Sequence, residues 1–267
     1  MRKVPFPADY RRLLEKQSRV VRQGARQGSS PPFFSVITIS RNRVADLERA
    51  IGSLRAQAER DFEHIVVDCA SSDGTVELLQ KVGVDVWLSE ADAGIADALN
   101  KGISLASGEW IVLMHADDQL APGALAQWKR MAAAGGDADI LSCAIRYSDG
   151  PEIAPDPAGM ARRMSMPHPG MAVRRSLHER IGLFRTDFRI ALDYEFTLRA
   201  LQMGAKVRCD PVVVAWKQPG GLSDTQLFRS RNENLRARVR WLGLRPWMLA
   251  HYAREVTSLA LGRLFKQ

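Results

Sequence analysis

The sequence predicts an α/β protein, with a mostly parallel sheet sandwiched by helices and a basic helical tail at its C-terminal end. Three observations predict it. Short β-rich apolar runs alternate with amphipathic stretches of about ten residues, the rhythm of strands joined by crossover helices. Several runs close in turn or cap chemistry rather than in further apolar sequence. The chain has 267 residues, 46% hydrophobic and 25% charged, enough apolar content to cover both faces of such a sheet.

The elements follow in order. "FFSVITI" (33–39) reads as the first strand, and Leu47, Ile51 and Leu54 then mark one face of a helix. "FEHIVVDC" (62–69) is a second strand, closed by "SSDGT" before the helical "VELLQKV". "VDVWLS" (84–89) is a third, and "IADALNKGISLA" (95–106) a helix with Ile95, Leu99 and Ile103 aligned. "EWIVLMH" (109–115) is a fourth, and Pro122 stands where a helix should begin. Beyond residue 138 the rhythm loosens. "ADILSCAIRY" reads as a strand, and "SDGPEIAPDPAGMARRMSMP" as a long Pro/Gly-rich loop. "RSLHERIGLF" and "LDYEFTLRALQMG" read as helices, the second stopped by Gly204, and "KVRCDPVVVAW" (206–216) as a strand. Residues 225–267 alternate Arg with Trp, Leu and Phe in a helical pattern.

Charge divides the chain into three segments. Residues 1–32 carry eight Lys/Arg against two acids, and 217–267 carry ten against three. Residues 33–216 carry twenty against twenty-five. A slightly acidic body thus bears two basic ends, suited to an anionic membrane surface or to nucleic acid. Nucleic acid would call for basic and aromatic residues interleaved on the body, so the membrane surface is the expected partner and nucleic acid is not. No apolar run reaches the 18 residues of a membrane span, and the N-terminal stretch lacks the apolar core of a secretion signal. Cys69, Cys143 and Cys209 form no CxxC pair, which points to a reducing cytoplasm.

Several chemistries drop out for lack of their motifs. No GxGxxG follows the first strand, and no GxxxxGK[ST] or GxSxG occurs. Carboxylates at strand ends recur instead: Asp68 closes "HIVVD", and Asp117 and Asp118 follow "IVLMH". Parallel strands would bring these acids to one sheet edge, where ligands of such folds bind. Adjacent acids repel unless they share a cation, and hard cations prefer carboxylate oxygen. Asp73, in Ser-Asp-Gly, reads as turn chemistry, Lys101 as solvent-facing, and Asp187 and Glu195 as surface or capping residues.

"SVITISRN", "HIVVDCASSDGT", "SEADAGIADALNKGISLASGEWIVLMHADD" and "IALDYEFTLRA", in this order and spacing, resemble glycosyltransferase family 2 with its GT-A fold. The resemblance covers about residues 33–223 and is nearest to bacterial enzymes that extend lipid-linked surface polysaccharides. It implies a GT-A catalytic domain at 33–223. The charge pattern adds a basic helical extension at 1–32 and basic amphipathic helices at 224–267 that are expected to face a membrane, with Trp241, Leu244, Trp247, Tyr252, Leu259 and Phe265 as apolar anchors. The resemblance implies roles as well. Asp68 would hydrogen-bond the uracil or ribose of a nucleotide sugar. Thr38 and Ser40 would line the base pocket, and Asp92 to Gly94 would lie near the nucleotide. Asp117 and Asp118 would hold Mn²⁺ or Mg²⁺ against the diphosphate. Asp193 would be the catalytic base, and His168 could touch the diphosphate.

Three positions depart from the family pattern: His115 opens the acid motif, Leu192 precedes the base, and Ala96 replaces an aromatic. His115 would be either a metal ligand favouring Mn²⁺ or a wall of the pocket. The expected activity is inverting transfer of a sugar from a nucleotide donor, with a lean to UDP, to a hydroxyl of a polyprenyl-linked glycan. The enzyme would sit peripherally at the inner face of the cell membrane. A nucleotidyltransferase on a similar sheet is the competing enzyme class, but "SRNRVADLE" lacks the glycines of its phosphate loop.

Overall fold

The computed structural model describes residues 20–23, 30–134, 136–221 and 225–264, with side chains as far as 258. Ten strands form one sheet among the described residues. They are β1 (Val21–Arg22), β2 (Phe34–Ser40), β3 (Phe62–Asp68), β4 (Val86–Ser89), β5 (Trp110–His115), β6 (Gln119–Leu120), β7 (Ile140–Tyr147), β8 (Glu152–Ile153), β9 (Met171–Arg174) and β10 (Val207–Lys217). The order is β1-β4-β3-β2-β5-β9-β7-β10-β6, with β8 paired to β7. β4, β3, β2 and β5 are mutually parallel, as are β7 and β10, while β9 runs antiparallel between the two groups.

Helices α1 (Val44–Arg55), α2 (Thr75–Val82), α3 (Ile95–Leu105) and α4 (Ala124–Ala133) fill the first half. Helices α5 (Arg175–Ile181), α6 (Leu192–Gln202), α7 (Leu227–Leu242) and α8 (Pro246–Leu264) fill the second. The period-2 pattern sends alternate residues of β2 to opposite faces. Ile37 joins Val67, Leu99, Ile103 and Phe196 beneath α3 and α6, while Phe34 and Val36 join Leu54, Trp110, Leu125 and Trp128 beneath α1 and α4. Both faces are covered, which is why the parallel strands read as nearly unbroken apolar runs.

Local sequence accounts for most boundaries. Gly204 follows α6 with φ +79°, a left-handed stop that a residue with a Cβ takes only with strain. α4 begins two residues beyond Pro122, with Gly123 as its N-cap. The long loop contains β8 and a 3₁₀ turn at Pro157–Ala161, whose start Asp156 caps by accepting from Gly159 N–H. Residues 1–19 and 24–29, most of the expected helical extension, lie outside the described residues. Val21 and Arg22 are extended rather than helical, because they add an antiparallel edge strand to β4.

The tail is helical, but α7 packs against α6 and α8 against α7. Ala237, Arg238 and Met248 are buried in these contacts. Of the aromatic residues expected to face a membrane, Trp241 donates its indole N–H to Glu195 and packs on the core, and Tyr252 pairs with Asn232. The side chains of Leu259 and Phe265 lie outside the described residues.

Candidate active site at the carboxyl edge of the parallel strands

The chain runs β2, β3, β4 outward in one direction, then returns to place β5 on the other side of β2. Strand order therefore reverses at β2 and β5, the place where open parallel sheets receive ligands. Register gathers the strand ends there. Ser40 pairs with Asp68, Asp68 with Ser89, and Ile39 with His115. Asp68 and the 115–118 segment thus share one edge, as their positions after strands predict.

Asp68 is fully buried. It accepts from Ser71 N–H at 2.9 Å, from the Ser71 hydroxyl and from the Ser89 hydroxyl at 2.6 Å. The loops after β2 and β3 are bound to one another. Asn42 N–H donates to Ser71 Oγ at 2.7 Å, Ser72 N–H to Asn42 Oδ1 at 2.9 Å, and Val44 N–H to Asp73 Oδ2 at 2.8 Å. Asp73 is therefore a structural clasp, as its turn context predicts, and the hydrogen bond from the Thr75 hydroxyl, with that from Val44 N–H, holds its carboxyl below the usual range. Asn42 (φ 50°) and Ala70 (φ 46°) are the two described non-glycine residues in left-handed backbone, one in each loop. Strain concentrated at a strand mouth is typical of a functional site.

Thr38 is completely buried and its hydroxyl meets His64 Nε2 at 2.9 Å, so it supports the strand and does not line a pocket. Ser40 is turned inward too. Its Oγ is enclosed without a hydrogen-bond partner among the described residues, and only its carbonyl reaches the loop, accepting from Cys69 N–H at 2.8 Å. Asp92 accepts from Gly94 N–H at 2.8 Å, and Gly94, at φ +121°, turns this loop into α3. The loop rests on Lys101. Expected in solvent, Lys101 is buried, pairing with Glu90 at 2.8 Å and Asp97 at 3.2 Å and donating to the Ala91 carbonyl. The two acids one helical turn away and beyond the helix start draw the amine inward, and they raise its pKa despite burial.

His115, Asp117 and Asp118 offer ligand atoms within 4.8 Å of one another, close enough to converge on one cation. A tight turn makes this cluster: Asp118 N–H donates to the His115 carbonyl at 3.0 Å, and His115 N–H to Asp118 Oδ2 at 3.2 Å. Asp118 is 2% exposed, and burial pushes its carboxyl above the usual range despite the pull of His115 and Lys217. Arg43 lies 3.7 Å from Asp117, but its guanidinium is shared with Asp46 at 2.9 Å. A buried acid beside a second acid and an imidazole is a donor set that suits a divalent cation.

Asp193 stands in the first turn of α6, half-buried, with Oδ1 accepting from Tyr194 N–H at 2.7 Å. His168 is buried nearer the core. Its ring sits 5.3 Å from that of Phe184 and 6.2 Å from that of Phe196, and it is 8% exposed. Burial lowers its pKa to about 4, against the pull of Asp193 and with the push of His115. The imidazole is neutral, and its Nε2 is enclosed without a partner among the described residues. His168 is thus enclosed beside Phe184 and Phe196 and does not lie open to a diphosphate. The expected surface residue Glu195 is fully buried, 3.2 Å from Arg199 and bonded to Trp241. Its helix faces α7, a packing that the local pattern did not reveal. Asp187 is a surface residue, as expected, paired with Arg185 and Arg236.

Residues 35–195 match the family model described as glycosyl transferase family 2. An uncharacterized glycosyltransferase of Mycobacterium tuberculosis is 34% identical over 197 residues, 70% of this chain and 73% of its own length. A PGL/p-HBAD biosynthesis glycosyltransferase of Mycobacterium bovis is 28% identical over 209 residues, 73% of this chain and 80% of its own. Among solved structures, the mannosyltransferase PcManGT of Pyrobaculum calidifontis, with GDP-Man and Mn²⁺, aligns with TM-score 0.65 and 20% identity over 96% of this chain and 83% of that one. Residues 1–349 of S. aureus TarS, with UDP-GlcNAc, align with TM-score 0.64 and 17% identity over 84% and 72%. These structural likenesses establish a shared GT-A fold.

Proposed function

This chain belongs to glycosyl transferase family 2 and is a nucleotide-sugar-dependent glycosyltransferase; from that premise we propose that it inverts the anomeric centre, using Asp193 as base and the Asp117–Asp118 edge to receive the donor diphosphate. The observation that carries this reading is the acid cluster at the β2/β5 reversal; Asp193 and His115 both act electrostatically on the buried His168.

Asp193 would accept the proton of an acceptor hydroxyl as that oxygen attacks the anomeric carbon. The bond to the diphosphate breaks with its electron pair on the leaving oxygen, and one displacement inverts the centre. Asp117 and Asp118, with His115 within reach, would hold Mn²⁺ or Mg²⁺, which as a Lewis acid stabilises the charge of the departing diphosphate. The reading places the nucleoside at the Asp68 loop, braced by Ser71 and Ser89, and the donor beside the Asp92–Gly94 turn. We favour UDP among the bases. PcManGT with GDP-Man and TarS with UDP-GlcNAc define the panel to try.

The test is thermal stabilisation by UDP-, GDP- and dTDP-sugars with Mn²⁺ or Mg²⁺, followed by release of the nucleoside diphosphate. A donor at a hundred times its Kd adds about 2.7 kcal/mol, roughly 5–10 °C for a chain of this size. No stabilisation by any donor would overturn the reading.

The acceptor we propose is a polyprenyl-linked glycan at an anionic membrane surface. No described helix is long and apolar enough to cross a membrane. The elbow between α7 and α8 nevertheless exposes Leu244 (64%), Trp247 (38%) and Leu249 (50%) beside the exposed Arg240 and Arg245. Bulky apolar groups among arginines suit an interfacial contact. Replacing the three apolar residues by Ser should weaken binding to anionic vesicles at least about tenfold, since each buried side chain contributes ~1.5–3 kcal/mol. Added salt should weaken it as well. Equal binding to neutral vesicles would refute the electrostatic contribution.

A further inference from the structure

Glu233 lies on α7, 40 residues beyond Asp193, yet its carboxylate organises the segment that leads into α6. One oxygen, Oε2, accepts from three successive backbone N–H groups: Arg189 at 3.0 Å, Ile190 at 2.8 Å and Ala191 at 3.0 Å. Ala191 is the N-cap of α6, so the last of these bonds lies two residues before Asp193. Glu233 is buried, and its other oxygen is 3.2 Å from Arg229 Nε. Successive N–H groups converging at a helix N-terminus form a site for negative charge, and here a side chain of the same protein fills it.

The neighbouring contacts make the grip specific to this turn. Arg236 lies 4.0 Å over the Phe188 ring and pairs with Asp187 at 2.6 Å. Trp241 holds Glu195 from the other side of the turn at 2.9 Å. The same turn carries Arg189, whose Nη1 lies 4.0 Å from the position a Cβ on Gly94 would take. One clasp therefore sets both the base-bearing helix start and an arginine beside the Asp92–Gly94 loop.

We propose that Glu233 is a positioning residue for sugar transfer: the C-terminal helix α7, through this carboxylate, fixes the turn that presents Asp193. The proposal rests on Asp193 being the base. A shift of about 1 Å in a reacting group can cost roughly 10²-fold in rate, so a segment held by three bonds to one oxygen is a sensitive point of control.

The test uses the full chain with Glu233→Ala and Glu233→Gln. Amide hydrogen exchange at 189–191, measured without ligand, should quicken about 5- to 150-fold in Glu233→Ala as the bonds to the carboxylate are lost. With UDP-GlcNAc or GDP-mannose, whichever the wild type turns over, kcat should fall about 10²-fold while the donor KM stays within about threefold. Glu233→Gln keeps a carbonyl acceptor, should recover most of the rate, and serves if the Ala variant does not fold. In an Asp193→Asn background, Glu233→Ala should add little, because the two act on one step. Unchanged exchange overturns the clasp whether or not sugar is transferred. Quickened exchange with unchanged kcat, or a loss that multiplies with that of Asp193→Asn, overturns the positioning role. A wild type that turns over no nucleotide sugar would sink the functional reading instead, with exchange still deciding the clasp.

Discussion

Asp193→Asn should lower sugar transfer by about 10²–10⁴-fold, the range that a positioned general base contributes. The substitution keeps the size of the side chain and its acceptor oxygen, so the bond from Tyr194 N–H can persist and α6 should still begin at Leu192. What disappears is the ability to take a proton from the attacking hydroxyl. Donor affinity should be little changed, because the proposed nucleoside contacts lie on β3 and its loop. Binding measured by calorimetry and turnover measured as nucleoside diphosphate release separate the two. Unaltered turnover would remove Asp193 from the mechanism. His168 is a poor substitute: burial lowers its pKa to about 4, which leaves a weak base, and its Nε2 is enclosed.

The second large effect is expected at Asp117 and Asp118. Alanine at either position should reduce transfer by about 10²-fold or more, since stabilising a departing diphosphate is worth several kcal/mol. Stability of the ligand-free protein should move the other way at Asp118. Its carboxyl is 2% exposed, pushed up by burial and placed beside a second acid, so removing it relieves an unfavourable buried group. A variant that is at least as heat-stable as wild type, inactive, and blind to Mn²⁺ in calorimetry would support the assignment. Full activity of the wild type in EDTA would overturn the metal. His115→Asn should keep substantial activity and an unchanged preference between Mn²⁺ and Mg²⁺, the outcome for a pocket wall. A swing toward Mg²⁺ would make the imidazole a ligand, because nitrogen donors suit transition metals better than magnesium.

The strands, the helices and the shared edge of Asp68, Asp117 and Asp118 were legible because each depends on local pattern. Ile37, Ile65 and Leu113 lie in short β-rich apolar runs, and a carboxylate that follows a parallel strand must emerge at that strand's carboxyl end. The residues around Asp68 were less legible. Ser71 lies within the quoted loop, but Ser89 reaches Asp68 only because β4 pairs with β3 in one particular register. Thr38 misled for the same reason. The family resemblance put it in the base pocket, and the face it occupies turned it toward His64.

Charged residues show most clearly what pattern leaves undecided. Lys101, Glu195 and Glu233 all belong to helices, where a charged side chain ordinarily faces water. Each is buried because a partner distant in sequence satisfies it: Glu90 for Lys101, Trp241 for Glu195, and the 189–191 amides for Glu233. The amphipathic period of the tail likewise established that it is helical, while its placement on α6 depended on which apolar surface the finished body left uncovered. Periodicity and turn chemistry act within a few residues, so the sequence alone determined the longer strands and helices, the parallel run of β2 to β5 and the edge that carries the acids. The short strands β1, β6, β8 and β9 were decided by pairing in the folded sheet. Burial of a charge is decided by whether its desolvation is met by specific donors or counter-charges. Those partners lie 11 to 46 residues away, and only the folded chain brings them together.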